Sequence, residues 1–457
     1  MKNKLPKNWV ETDLDTVILR MTNGSSLKQE EEPFQGSLPI SRIETIWNET
    51  IDLDRVKYVD ASEDDIEKYG LQKGDVLFSH INSDKHLGKT AVFNLDQTII
   101  HGINLLLLRA MPQFDGDLLN YILRHYRFSG KFIEVAQRSV NQSSINQKKL
   151  KSFLVPLPPL AEQQRIVAKL DELFGHLDSL KTRLNHIPEI LKNFRQAVLN
   201  QAVTGKLTEE WRVGKALEEW EEVELETIAK VVDPQPSHRT PPIHEDGIPY
   251  VSIKDVNKKG EVILENARPV SKVVLAEHIK RYDLQEGDFG FGKIGTLGKP
   301  FLLPMFPERK YTLSANIILI QPRSKGNPKF LYYYLNSSII EQKLREGTNS
   351  TSQPAFGIKK ARKFPTPNPS PEEQTEIVKR VEHLFDKADA IEAQYQSLKT
   401  KIDSLPQAIL AKAFKGELVA QLDSDGSAAI LLEEIKKLNA SLRGTKQSVK
   451  KSKKTTK

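Results

Sequence analysis

Apolar residues recur along this chain at alternating intervals of four and three, in two separate stretches. The first runs Ile166, Leu170, Leu173, Leu177, Leu180, Leu184, Ile187 and Leu191. The second runs Ile377, Val381, Leu384, Ala388, Ile391, Tyr395, Leu398 and Ile402, with Leu405 extending it. A 4,3 spacing kept over three heptads lines one side of a helix and predicts a coiled-coil seam. Two seams in one chain can pair with each other. At about 1.5 Å per residue, the stretch from Ile166 to Leu191 is about 38 Å long. Pro188 predicts a kink or restart in the first helix, because an interior proline lacks the amide hydrogen and costs about 3 kcal/mol. The second stripe meets proline only at Pro406, so it is expected to form the longer unbroken helix.

Matched members of the two stripes stand 211 residues apart, and the same offset extends beyond them. It pairs Trp9 with Trp220, Leu14 with Leu225, Phe153 with Phe364 and Glu162-Gln163 with Glu373-Gln374. It also pairs Gln196-Ala197 with Gln407-Ala408, and Gly205-x-Leu207 with Gly416-x-Leu418. Two domain-sized copies make an internal duplication rather than a solenoid. In each copy a mixed part precedes a helical part. Short apolar runs at 17–20, 75–78, 90–93 and 103–108, separated by Gly, Asn and Asp, predict strands. Residues 118–126 and 330–337 predict short helices. A proline-rich lead-in, 156–159 or 365–369, then suits a helix start.

Composition narrows the possibilities. No run of 18 apolar residues is present, so no membrane span is expected. The basic start has no apolar stretch behind it and gives no sign of a secretion signal. Cysteine is absent, which excludes thiolate metal sites and disulfides and fits a cytoplasmic setting. The net charge of +7 resides in the C-terminal tail, where Arg443, Lys446, Lys450, Lys451, Lys453, Lys454 and Lys457 stand without an acid. The tail reads as a disordered solvated run. The body is neutral, so any nucleic-acid binding must come from local basic faces.

The segment Pro156-Leu-Pro-Pro-Leu-Ala-Glu-Gln-Gln-Arg-Ile-Val, ending in Gly205-Lys-Leu207, recurs as Pro369-Ser-Pro-Glu-Glu-Gln-Thr-Glu-Ile-Val, ending in Gly416-Glu-Leu418. This doubled pattern, behind two domain-sized variable parts, resembles the repeat regions of Type I restriction–modification specificity subunits. The likeness covers roughly residues 1–440. The second copy departs from it at Ser370 and at Thr375-Glu376. The resemblance implies an α+β chain with a pseudo-two-fold internal repeat. Two target recognition domains of mixed α/β structure, at 1–155 and 212–366, would be separated by helical spacers at 156–211 and 367–421. The spacers would form an antiparallel coiled coil, and 422–457 would hold a short helix and the basic tail. Each recognition domain would read half of a split site in double-stranded DNA, with the spacer length setting the gap. The chain would be non-catalytic and carry no cofactor. Its partners would be two methyltransferase subunits that use S-adenosylmethionine on adenine and, in complexes that cleave, motor-nuclease subunits that use ATP and magnesium.

The duplication sorts candidate contacts. Polar residues shared by both copies cannot explain different half-sites, so they suit phosphate or partner contacts. These are Gln142, Lys148, Lys149 and Lys151 in the first copy, and Gln353, Lys359, Lys360 and Arg362 in the second. Base readers belong where the copies diverge, in loops with hydrogen-bonding side chains. Asn82, Ser83, Lys85, His86 and Arg138 are the candidates in the first half; His238, Arg239, Lys293, Thr296 and Asn349 are those in the second.

Three patterns resemble other chemistries and fail. The stretch 287–294 nearly matches a P-loop, but Ile294 replaces the Ser or Thr that would reach magnesium. The overlapping GxGxxG at 290–295 is followed by Gly298 and Pro300 rather than a helix start, and reads as a glycine-rich strand edge or bulge. Asn368-Pro-Ser-Pro371 lacks the aromatic that an adenine methyltransferase motif stacks on its base. No histidine pair has metal-site spacing. The competing interpretations are a coiled-coil scaffold that does not read DNA, and a nucleotide-binding enzyme built on the glycine-rich stretch.

Overall fold

The computed structural model describes residues 5–140, 142–257, 260–293, 300–306, 310–323, 326–346 and 357–454. The chain divides into two compact units: Met1–Arg183 with Leu398–Lys457, and Leu184–Ser397.

In unit one, a four-stranded antiparallel sheet runs in the order Ile18–Asn23, Leu106–Ala110, Asp75–Phe78, Thr90–Phe93. In unit two, the order is Ala229–Val232, Ile317–Pro322, Phe289–Gly292, Pro300–Leu302, again antiparallel. A separate strand pair closes each domain: Val10–Asp13 with Leu154–Leu157, and Glu221–Glu224 with Pro365–Asn368. The 211-residue offset therefore describes the closing strand pairs and two strands of each sheet as well as the seams, while Asp75–Phe78 and Thr90–Phe93 recur at offsets of 214 and 210.

One helix packs on each sheet. Gly116–Phe128 buries Leu118, Leu119, Ile122, Leu123 and Tyr126 behind an Asp115 cap. Pro328–Leu335 buries Phe330, Leu331, Tyr334 and Leu335 behind an Asn327 cap. Burial at i, i+3 and i+4 turns one face of each helix onto the core.

The first long helix, Leu160–Asn185, stops before Pro188, and a second, Ile187–Val203, starts there with the proline in its first turn. The helix Pro371–Ala413 is continuous and includes Pro406. Each unit draws its helical core from both copies. In unit one, Ile166 and Leu170 share a cluster with Leu410, Ala413 and Phe414. In unit two, Leu199, Ala202 and Val203 share one with Ile377, Val378 and Val381. The start of one helix thus meets the end of another, which is antiparallel packing. Arg195 continues the contact in unit two, donating to Glu392 at 2.9 Å and also to Asp389.

Several expectations need correction. Leu180, Ile391, Leu398 and Leu405 are 37–49% exposed, so the seam is not closed throughout. A helix pair without a third element covers only one side of each seam residue. Val17 belongs to a helical turn, Leu14–Val17, and the strand begins at Ile18; likewise the later strand begins at Leu106 rather than 103. The glycine-rich strand Phe289–Gly292 is interior, not an edge. There Gly290 faces Phe301 across the ladder, and a Cβ on it would come within 2.3 Å of that ring.

The C-terminal segment is not a short helix with a disordered tail. The helix Ala428–Lys454 is 27 residues long. Beneath the basic charge of this segment, Leu431, Ile435, Leu438 and Leu442 form a 4,3,4 stripe that packs on the core of unit one. Lysine is itself a good helix former, so the basic stretch continues the helix. Asn439 ties this helix down by donating to the Thr16 carbonyl at 3.0 Å. Among the described residues, no helix is long and apolar enough to cross a membrane.

Candidate nucleic-acid interface

The repeated Glu-Gln pair fixes how the long helices leave each domain. Trp9 Nε1 donates to Glu162 at 2.9 Å, and Trp220 Nε1 donates to Glu373 at 2.9 Å. The adjacent glutamines bridge two helix starts. Gln163 accepts from the Asp115 amide at 3.1 Å and donates to the Pro158 carbonyl at 3.0 Å. Gln374 accepts from the Asn327 amide at 2.7 Å and donates to Pro369 at 2.8 Å. All four carboxamide and carboxylate side chains are buried. Each of the four makes at least one of these long-range hydrogen bonds from a buried position, so this motif is structural.

In unit one the divergent residues come together. A small sheet runs Gln137–Ser139, Gln142–Ser144, Ile81–Asn82. Across it Arg138 lies opposite Ser143, and Ser143 opposite Asn82. Asp84 accepts a hydrogen bond from Ser143 and stands 3.8 Å from the Arg138 guanidinium. Asn82 donates to Ser79 at 3.1 Å and accepts from the Ser83 amide at 2.9 Å. Ser83, Lys85 and Arg138 are exposed, and His86 is half-buried. Gln142 is exposed on the same hairpin.

A cationic patch adjoins this cluster. Burial lowers the His86 pKa, and Lys89, Lys85 and Arg127 lower it further. Lys89 is lowered by burial and then by Arg127, with Glu49 opposing. Glu49 is the carboxylate paired with both Arg124 and Arg127. It sits in a two-residue turn, with φ 46° at Asn48 and φ 64° at Glu49. Lys89, Arg124, Arg127 and Glu49 escaped the sequence reading; the matched Gly88-Lys89 and Gly298-Lys299 pairs were the available signal for Lys89.

The shared basic positions fall on equivalent helical turns, Gln147–Lys151 and Ile358–Arg362. Lys148, Lys149, Lys359 and Lys360 are exposed. Lys151 instead pairs with Asp15 at 3.0 Å, and Arg362 donates to the Val231 carbonyl at 3.3 Å. Lys151 is half-buried and suits bracing its turn, whereas Arg362 remains exposed while making this contact.

In unit two, His238 and Arg239 are exposed on the loop after Ala229–Val232. Lys293 is not presented for base reading: it is 7% exposed, and its ammonium lies 3.0 Å from Asp233. Thr296, Asn349 and Gln353 lie outside the described residues. Among the described residues, no group of three histidine, aspartate or glutamate side chains could hold a metal ion.

Comparison with known proteins agrees with this doubled architecture. The Type I restriction modification DNA specificity domain matches twice, at residues 6–189 and 217–400. The EcoBI specificity subunit of Escherichia coli is 36% identical over 68% of this chain and 70% of its own length. The putative MjaX specificity subunit of Methanocaldococcus jannaschii is 30% identical over 84% of this chain and 88% of its own. The EcoKI specificity subunit of Escherichia coli K12 is 29% identical over 98% and 99%. Among solved structures, a chain from work on assembly and conformational transition of the type I R-M system has a TM-score of 0.63 at 18% identity, covering 91% of this chain and 99% of its own. The HsdS subunit from Thermoanaerobacter tengcongensis has a TM-score of 0.58 over the same coverage, also at 18% identity. With both copies matched by one domain family across most of its length, this chain belongs to the Type I restriction–modification DNA specificity family.

Proposed function

We propose that this chain is the DNA-reading, non-catalytic subunit of a Type I restriction–modification complex. Each recognition domain reads one half of a bipartite duplex site, and the long helices set the unread gap. The observation that carries this reading is the coexistence of a matched scaffold with divergent loops. Sheets, packing helices and Trp–Glu–Gln clamps recur in the same order at offsets of 210–214, whereas the sequences of Asn82–His86 and His238–Arg239 are not repeated across the copies. One scaffold bearing two different polar surfaces suits two different half-sites. Lys148, Lys149, Lys359 and Lys360, with Lys85 and Lys89, supply phosphate contacts that position without specifying.

Chemistry then comes from partners. Two methyltransferase subunits carry S-adenosylmethionine and modify adenine; motor-nuclease subunits carry ATP and magnesium. The decisive experiment co-expresses this chain with its methyltransferase partner in a host without adenine methylation and maps the modified bases. A split motif with a fixed gap is expected, and a heptad added to both long helices should lengthen the gap while preserving both half-sites. Modification without any split motif would overturn the reading and favour a scaffold. Arg138→Ala should weaken one base position by about 1–3 kcal/mol, measured by competition binding of the complex to duplexes substituted at that position.

A further inference from the structure

Behind the exposed His238-Arg239 pair lies a polar network that the matched copy lacks. His278 is 3% exposed on the helix Lys272–Ile279. Its Nε2 bonds to Gln235 Oε1, and its Nδ1 lies 2.5 Å from the Thr312 hydroxyl and 3.2 Å from the Tyr282 hydroxyl. An amide oxygen can only accept, so the imidazole proton sits on Nε2 and Nδ1 accepts from a hydroxyl. Gln235 then spans the loop, its Nε2 donating to Ser237 Oγ at 2.9 Å and to the Arg239 carbonyl at 3.1 Å. Asp233 supplies the other anchor: one oxygen accepts from the Gln235 amide at 3.2 Å, and the other holds buried Lys293 at 3.0 Å.

This network fixes a backbone that would not hold itself. His238 has φ 53°, in the left-handed region that a side chain with a Cβ seldom occupies. Strain of this kind persists where the surroundings over-determine it, and it concentrates at recognition sites. Residues 22–28 occupy the equivalent place in unit one and are pinned differently. There Ser25 bridges to Gly102 backbone to backbone, with its amide 2.7 Å from the His101 carbonyl. The stretch is thus tied to neighbouring backbone in one copy and held out on side-chain struts in the other.

We propose that loop 233–239 is a base-reading element of the second recognition domain, and that Gln235 and Asp233, held in place by His278 and Lys293, are its positioning residues. Arg239, with its forked guanidinium, is the reading side chain, since that fork matches a base edge bidentately in the major groove. The inference rests on the specificity-subunit reading above and locates part of the second half-site's specificity in seven residues.

The test uses the full chain in complex with its methyltransferase partner, with methylated motifs read genome-wide for the unaltered chain, Arg239→Ala, Gln235→Ala, Asp233→Asn and Arg138→Ala. Arg239→Ala and Gln235→Ala should relax base preference about tenfold or more at the same position of one half-site. The other half-site, an internal control, should stay unchanged. Arg138→Ala should relax the opposite half. Combining Gln235→Ala with Arg239→Ala should relax no further than Arg239→Ala alone, because the glutamine acts through the arginine. Thermal melting separates positioning from unfolding: a collapsed melting transition with both half-sites lost together would make Gln235 merely structural and overturn the proposal. Should Gln235→Ala fail to assemble, Asp233→Asn carries the same expectation. Unchanged preference in Arg239→Ala also overturns it. Failure of the unaltered complex to give any split motif would instead sink the underlying functional reading.

Discussion

Trp9 and Trp220 each donate an indole hydrogen bond to a buried glutamate, yet only one of those carboxylates has its second oxygen satisfied. In unit two, Glu373 Oε1 accepts from the Thr208 hydroxyl at 2.7 Å, with Arg212 3.8 Å away. In unit one, Val419 stands at the position equivalent to Thr208, and Glu162 Oε1 is buried without a partner. Burial accordingly raises the Glu162 pKa, against the pull of the Trp9 hydrogen bond. The same unit gains a different lock: Arg165 reaches Asp425 through both guanidinium nitrogens, at 2.7 and 2.6 Å. In unit two, Arg380 holds the Leu207 carbonyl at 2.9 Å. Duplication kept the long-range clamp in both copies, whereas the strap behind it diverged because one strap continues into a second domain and the other leads to the C-terminal helix.

The sharpest way to break this comparison is to hollow one core at a time. Leu199 and Leu410 are equivalent, and both are buried. Leu410→Ala should cost unit one about 2–5 kcal/mol, and Leu199→Ala should cost unit two a similar amount. Segment-resolved amide exchange should show faster exchange in Leu106–Ala110 for the first and in Ile317–Pro322 for the second. Equal loosening of both units by either change would refute independent cores.

Acid should come next in size. Desolvation pulls His101 down to about 4, with Arg20 and His80 adding to it, and pulls His125 down to about 4, with Lys131 and Lys415 adding to it. The unfolded chain binds protons near pH 6.5 that these folded imidazoles refuse until about pH 4. Their contribution is therefore intact above pH 6.5 and is lost as pH falls toward 4. For fully buried His101 that loss is on the order of 3 kcal/mol. In unit two, burial also lowers His278. Exchange corrected for intrinsic rates, at pH 7 and pH 4.5, should show unit one losing protection first.

Smaller effects sharpen the strap difference. Thr208→Val should destabilise unit two by about 1–3 kcal/mol, by orphaning a carboxylate oxygen as in unit one. Val419→Thr should return up to about 1 kcal/mol to unit one. Both are measurable as shifts in urea midpoint. Asp425→Asn removes the charge from a bidentate pair whose carboxylate side chain is 3% exposed while its guanidinium is 34% exposed, and should cost about 1 kcal/mol.

Much of this was legible in the chain because it is written twice. An offset of 211 locates two strands of each four-stranded sheet, both clamps and the paired helix ends, and the other two strands are displaced from it by three residues and one, since a repeated pattern exposes core positions without contacts being known. The function of Glu162 was not legible: its partner Trp9 lies 153 residues away, and no local pattern links them. Charge misled at two places. In sequence Lys293 has the character of a free hydrogen-bonding side chain, but it is paired with Asp233, and the C-terminal lysines obscure the apolar stripe that begins at Leu431. The first-half candidates adjoin one another because divergence confines them to a loop and a neighbouring hairpin. Gln235 and His278 were not found, because their importance comes from a contact spanning 43 residues.

The borrowing of helix ends between copies bears on how the protein is made. Unit one is interrupted in sequence, and unit two is the interruption. Leu170 leaves the ribosome 240 residues before Leu410, which belongs to the same core cluster in the finished protein. At about 5–20 residues per second that delay is roughly 12–48 s. During it the domain synthesised first has an unfilled apolar socket, while the domain synthesised later can close around helix ends that are already present. Nascent chains stalled before residue 410 should therefore be the ones that chaperones hold.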